Sequence, residues 1–268
     1  MARSLRVAVI GAGIGGLAAA CALRRRRIEA QVYERAGELG EVGAGLQLGP
    51  NAVKVLRALG IEQALDQYAF EPTNIVSLSW DRAELRFREP LKAVSLARYG
   101  ARYLTTHRAD LHRLLQQELP ERSITLGAHC TSAAWRDGTA TASFADGRTI
   151  EADVIIGADG INSEVRASLF GEQPARWTQQ MAWRCMVPIE RVPTRVGPGG
   201  AVAIGPCVQH SSGLRSRMPH LKHCVVWLSI SSNASFQPAY PASNSLIELG
   251  TDHDSSTQSS DTWPAKML

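Results

Sequence analysis

The period of the apolar positions changes several times along the chain, and each change predicts an element. Residues 5–10 form a short apolar, β-branched run closed by glycine, the pattern of a buried parallel strand. Ile14, Leu17, Ala18, Cys21 and Ala22 then recur at helical spacing. A second strand is predicted over 28–33, and Pro50 and Asn51 open a helix running through Leu59. Residues 74–88 alternate as strands. The stretch "HRADLHRLLQQELP" predicts a helix that starts near Asp110 as N-cap and ends before Pro120. A short strand over 123–126 precedes three strand-like runs, 131–136, 139–145 and 149–156. Asp137-Gly138 and Asp146-Gly147 separate those runs as hairpin turns. Strand and helix alternating early, with a meander later, predict an α/β fold.

The turn after the first strand carries the chemistry. Gly11, Gly13 and Gly16 complete GxGxxG between strand and helix. The first glycine permits a tight turn, the second lets backbone approach a pyrophosphate, and the third lets the helix lie close to the sheet. The positive end of that helix then faces the phosphates. Glu34 ends the second strand eighteen positions after Gly16, where an acid can hold a ribose hydroxyl. Its charge repels a 2′-phosphate, so the pattern points to NAD or FAD. Gly37, Gly40, Gly43, Gly45 and Gly49 punctuate the following loop, as expected for backbone lying against a flat ligand.

Composition narrows the class. The chain has 268 residues, 44% hydrophobic and 20% charged, enough for one large or two modest domains. Its net charge of +4 is too mild to argue for nucleic acid. The basic run at 24–27 reads as the solvated end of a helix. Five cysteines form no CxxC pair and are odd in number, which points away from zinc and from a disulfide framework and towards a reducing cytoplasm. The start has the look of a signal peptide, but glycines interrupt its apolar stretch and four arginines follow, so it is kept in the mature fold. No apolar run reaches the roughly 18 to 20 residues of a membrane span.

One further motif, "GADGINSEVR", follows the run at 154–156 and places Asp159, Gly160, Ser163 and Arg166 at a strand's carboxyl end, the edge where open α/β folds bind ligands. Taken together, GAGIGG with Glu34, "GAGLQLGPNA", Arg108 in "HRADL" and "DGINSEVR" resemble the FAD-dependent aromatic hydroxylases. Specifically, they resemble the salicylate hydroxylase-like branch of the single-component flavoprotein monooxygenases, from about residue 4 to about residue 195. The resemblance implies a Rossmann-like FAD-binding domain with an incomplete β-rich substrate domain. It assigns Gly11, Gly13, Gly15, Gly16 and Glu34 to the ADP half of FAD, with Arg35 beside Glu34 and Gly45 in the flavin loop. Arg108 falls to the phosphate and ribose region, and Asp159 and Gly160 to contacts with both FAD and the pyridine nucleotide. Asp159-Gly160 is then a second clamp on one extended flavin nucleotide.

The implied activity is NAD(P)H reduction of FAD, O2 addition to give a flavin hydroperoxide, and oxygen transfer to a phenolic or hydroxy-aromatic acid. The implied partners are that small aromatic substrate and O2, with no metal, nucleic acid or integral membrane segment. The expected division is an FAD-binding domain of 1–75 and 100–175, a partial substrate sheet of 76–99 and 176–205, and an atypical Ser-rich tail of 206–268. In the tail only residues 224–230 read as a strand. The family's later Gly-Asp signature is not found, and a shifted reading frame near Gly205 is expected in preference to a divergent genuine end. No catalytic residue is assigned. His210, His220 and His223 lie in polar surroundings and are read as solvated. The alternative is a catalytically incompetent FAD- or nucleotide-binding remnant. An NAD-dependent dehydrogenase lacks support, since YxxxK is absent.

Overall fold

The structure is a computed structural model, and it describes residues 5–40, 45–78, 85–176, 180–188, 200–204, 209–213 and 223–231. Strand β1 (Val7–Ile10) lies at the centre of a four-stranded sheet. Its neighbours are β2 (Ala30–Tyr33) and β12 (Val154–Gly157), and β8 (Ile124–Thr125) adds the far edge, every pairing parallel. All four residues of β1 are buried, as a continuous apolar run in a parallel sheet requires.

Successive β1 side chains face opposite sides of the sheet, and so each enters a different core. Val9, fully buried, packs with Leu17 and Cys21 of α1 (Ile14–Arg25) and with Leu111 and Leu115 of α5 (Arg108–Gln117). Ile10 packs with Cys130, Ala133, Ala142, Phe144 and Val165 on the other face. That second layer is a meander of β9 (Cys130–Arg136), β10 (Thr139–Phe144) and β11 (Thr149–Ala152), joined by α6 (Glu164–Phe170). Asp137 and Gly138 both take positive φ, as a tight two-residue hairpin turn demands.

Two expectations differ from the structure. The run at 149–156 is not a single strand; it breaks at Asp153 into β11 and β12, which belong to different sheets. The Asp153 carboxylate accepts hydrogen bonds from Arg6 N at 2.8 Å and Arg6 Nη2 at 3.2 Å, while Asp153 N donates to the Arg6 carbonyl at 2.8 Å. Arg6 therefore takes the chain out of the meander and starts it along β1. The expected start of the helix near Asp110 also shifts: α5 begins at Arg108 with His107 at the N-cap, and Asp110 sits in the first turn paired to Arg113 at 2.7 Å. An acid is favourable anywhere in a first turn, so its presence does not mark the cap.

Helix α2 (Pro50–Ala58) begins at Pro50 as expected, and β3 (Gly45–Leu48) leads into it. A small antiparallel sheet joins β3 and β4 (Ala69–Phe70) to β7 (Leu104–His107). The last sheet has six strands. Two of them are β5 (Asn74–Leu78) and β6 (Leu85–Pro90), and the other four are β13 (Gln180–Pro188), β14 (Gly200–Ile204), β15 (Gln209–Gly213) and β16 (His223–Ser231). Its order is β13-β16-β15-β14-β5-β6, with only β14 and β5 parallel. Thus β15 and β16, from the stretch read as tail, lie inside this sheet, while residues 232–268 are outside the described residues. Among the described residues no helix is long and apolar enough to cross a membrane.

Candidate flavin-nucleotide site

Parallel pairing of β1 with both β2 and β12 brings the carboxyl ends of three strands to one edge, and with them the glycine turn, Glu34 and Asp159-Gly160. Gly11 N donates to the Tyr33 carbonyl at 2.7 Å and Ala158 N donates to the Ile10 carbonyl at 2.7 Å. The two loops touch: a Cβ on Gly11, whose φ is +104°, would lie 2.5 Å from the Ala158 oxygen. A Cβ on Gly16 would run into the Gly11 carbonyl oxygen, so the third glycine is required by the close approach of α1 to the turn. Around Gly13 and Gly15, in contrast, a Cβ meets nothing within 4 Å. Open space therefore lies in front of the turn where α1 presents its free N–H groups, and no side chain caps that helix.

Glu34 grips the turn. Its Oε2 accepts from Ala12 N at 2.7 Å and its Oε1 from Ala36 N at 3.0 Å. Its own backbone is held on both sides, with Glu34 N donating to the Thr125 carbonyl at 2.9 Å and Ala128 N to the Glu34 carbonyl at 2.7 Å. A carboxylate has about four acceptor sites, so two remain for hydroxyl donors. Arg35, the next residue, is exposed.

Gly45 pairs with His107 across β3 and β7, which places the end of the glycine-rich loop beside the start of α5. Arg108, the first residue of that helix, buries its Nε. His107 Nδ1 lies 3.8 Å from Asp110 Oδ2, and its Nε2 is buried without a hydrogen bond among the described residues. No motif in the chain marks His112. It is 5% exposed, and its Nε2 lies 2.7 Å from the Ala12 carbonyl oxygen. A carbonyl only accepts, so the ring donates through Nε2–H. A lone histidine on an otherwise apolar helix face reads as core, and only the fold shows what it touches.

Asp159 is placed at the expected edge, but its carboxylate turns towards α6. Oδ1 accepts from Ser163 Oγ at 2.5 Å and Oδ2 from Val165 N at 3.2 Å, while Ser163 Oγ accepts from Arg166 N at 2.9 Å. This is an N-cap in which two side chains satisfy the first helical amides. Gly160 adopts φ +86°, is exposed, and has open space where a Cβ would stand. The loop is thus held by Asp159 and presents Gly160 outward. Among the described residues no three His, Cys, Asp or Glu side chains gather as a metal site would require.

Residues 4–237 match the family model described as FAD binding domain, and the chain belongs to that family. The match runs past Gly205, where the sequence reading placed the loss of the pattern. A 6-hydroxynicotinate 3-monooxygenase from Pseudomonas fluorescens is 37% identical over 220 residues, covering 82% of this chain and 56% of the relative. A 3-hydroxybenzoate 6-hydroxylase from Klebsiella oxytoca is 34% identical over 200 residues, covering 72% and 49%. Among solved structures, Klebsiella pneumoniae HpxO complexed with FAD and uric acid superposes with a TM-score of 0.75 at 25% identity, covering 90% of this chain and 58% of that one. The chain spans about half the length of the curated relatives it matches.

Proposed function

We propose that this chain forms the FAD-binding part, with a portion of the substrate sheet, of a monooxygenase that hydroxylates a phenolic or hydroxy-aromatic acid using NAD(P)H and O2. The observation that carries this reading is the joining of GxGxxG, Glu34 and the Asp159-Gly160 loop at one sheet edge, with open space at Gly13 and Gly15. Together with the Nε2 of His107 beside Arg108, buried and without a hydrogen bond among the described residues, that space fits an extended dinucleotide. When bound, FAD supplies the redox chemistry by which NAD(P)H and O2 yield an electrophilic oxygen.

The residues of the chain bind and orient. The amides at Gly13 to Gly16 and the positive end of α1 take the pyrophosphate. The free acceptor sites of Glu34 take ribose hydroxyls, and Arg35 lies beside them. Arg108 neutralises phosphate charge, Gly45 lets backbone lie close to the flavin, and Gly160 gives the second loop a surface with no side chain. The relatives' names point to hydroxynicotinate and hydroxybenzoate as the substrate class. Buried free thiols at Cys21 and Cys130 support residence in the reducing cytoplasm.

The test is the visible spectrum of the purified chain titrated with FAD, followed by NADH oxidation with and without 6-hydroxynicotinate, 3-hydroxybenzoate or salicylate. A bound flavin band and ligand-stimulated oxidation support the full reading. Bound flavin without stimulation reduces it to a nucleotide-binding unit, and no bound flavin refutes it.

A further inference from the structure

We infer that His112 is a positioning residue that aims the Gly13 amide into the phosphate cradle and ties it to Arg108. The inference rests on the proposed FAD site and adds to it a residue with no part in the glycine or Asp-Gly motifs. Ala12 is 2% exposed and lies between two peptide planes. The plane before it is fixed because Ala12 N donates to Glu34 Oε2. The plane after it is fixed because His112 Nε2–H donates to the Ala12 carbonyl at 2.7 Å.

A trans peptide is planar, with its N–H antiparallel to its C=O. The carbonyl of Ala12 points into the buried side against α5, so the N–H of Gly13 in the same plane points the opposite way. Gly13 is itself unobstructed, since a Cβ built on it would meet nothing within 4 Å. Glu34 and His112 thus hold two consecutive planes from two different elements, the end of β2 and the side of α5. Arg108 precedes His112 by four residues and so lies on the same face of α5, one turn nearer its open end. The Cys21 Sγ–Leu115 carbonyl contact at 3.4 Å locks the same pair of helices further along. Without the His112 bond, the turn is free to rotate its amide and α5 loses its fixed height against it.

The experiment compares the parent chain with His112→Leu, which keeps bulk and removes the donor, and His112→Gln, which returns an N–H donor at similar reach. Fluorescence titration with FAD, titration with ADP, and hydrogen exchange of the Ala12 amide in the nucleotide-free chain are measured for each. His112→Leu should weaken both FAD and ADP about tenfold, the value of one ordinary buried hydrogen bond. It should also speed exchange at Ala12, and His112→Gln should recover most of both. Rescue by the donor separates positioning from packing, since a purely structural role leaves Gln no better than Leu. Parental affinity and parental Ala12 exchange in His112→Leu, or failure of His112→Gln to restore either, overturn the inference. If the parent binds neither FAD nor ADP, the proposed function fails, and the inference is then decided by Ala12 exchange alone, unchanged exchange in His112→Leu rejecting it.

Discussion

Glu34 Oε2 accepts a hydrogen bond from Ala12 N at 2.7 Å across the 22 positions that separate them. The acid predicted for a ribose is therefore a structural part of the glycine turn. A carboxylate accepting from backbone amides makes a stronger bond than a neutral acceptor does. Replacing Glu34 with Ala should lower stability by about 1–3 kcal/mol, because the buried Ala12 N–H is left without its partner. FAD affinity should fall further than that of a ribose contact alone. Urea unfolding and FAD titration on the same samples measure the two losses, and a variant that loses affinity with no change in stability contradicts the dual role.

The glycines of the turn separate into two kinds, which alanine substitution distinguishes. Gly16→Ala drives a methyl group into the Gly11 carbonyl, a backbone atom that has no room to retreat. Its expected cost is about 3 kcal/mol or more, as for severe overpacking. Gly13→Ala places a methyl group in open space at a φ of −68°, which alanine adopts freely. It should unfold within about 0.5 kcal/mol of the parent yet lose FAD affinity at least tenfold, because the methyl fills the cradle. Thermal unfolding with FAD titration checks the pair; unaltered affinity in Gly13→Ala means that no phosphate lies there.

Much of this site is local in the chain and for that reason was legible. Gly11, Gly13, Gly16 and Glu34 sit within one βαβ unit, whose spacing is set by strand and helix lengths. Asp137-Gly138 announced its hairpin because only a few residues tolerate two consecutive positive φ values. What stayed hidden depends on contacts between distant segments. The break at Asp153 needs Arg6, and the role of His112 needs Ala12, a hundred positions away. The turn of Asp159 towards Ser163 was hidden for another reason: a short acid before a helix serves equally as cap or as ligand, and the motif alone does not choose. The pairing of β14 with β5 unites residues 74–78 with 200–204; no periodicity connects them, and only the family resemblance put 76–99 and 176–205 into one sheet.

Cys21 lends the fold an alkaline pH dependence. Burial, with the Glu118 carboxylate adding to it, pushes the Cys21 thiol up to about 11. An unfolded cysteine ionises near 8.5, so the thiol form is favoured by folding. The sign follows from linkage: the contribution is fully present below about 8.5 and is lost as pH rises towards 11. Unfolding free energy measured by urea should therefore fall over that range, and fall less steeply in Cys21→Ala. At pH 8 iodoacetamide should leave Cys21 unmodified in the folded chain and label it on unfolding, as read by peptide mass spectrometry. Rapid labelling in the folded chain contradicts the burial.

Helix α1 ends in a conformation its sequence does not favour. Ile28 N donates to the Leu23 carbonyl at 3.0 Å and Arg27 N to the Arg24 carbonyl at 2.9 Å, the paired bonds of a Schellman ending. That ending requires a left-handed residue at the position of Arg27, whose φ is +60°. An L side chain there costs about 1–2 kcal/mol, whereas glycine is free of the clash but loses more entropy on folding. Arg27→Gly should therefore stabilise the chain by about 0.5–1 kcal/mol. Helix α4 (Lys92–Tyr99) supplies the reverse experiment, because it closes on Gly100 at φ +65° with nothing within 4 Å of a Cβ. Gly100→Ala meets no neighbour, so any loss it causes is the backbone penalty alone, about 1 kcal/mol. Urea midpoints should move in opposite directions for the two variants. Equal or like-signed shifts would show that the conformations at these helix ends differ from those seen here.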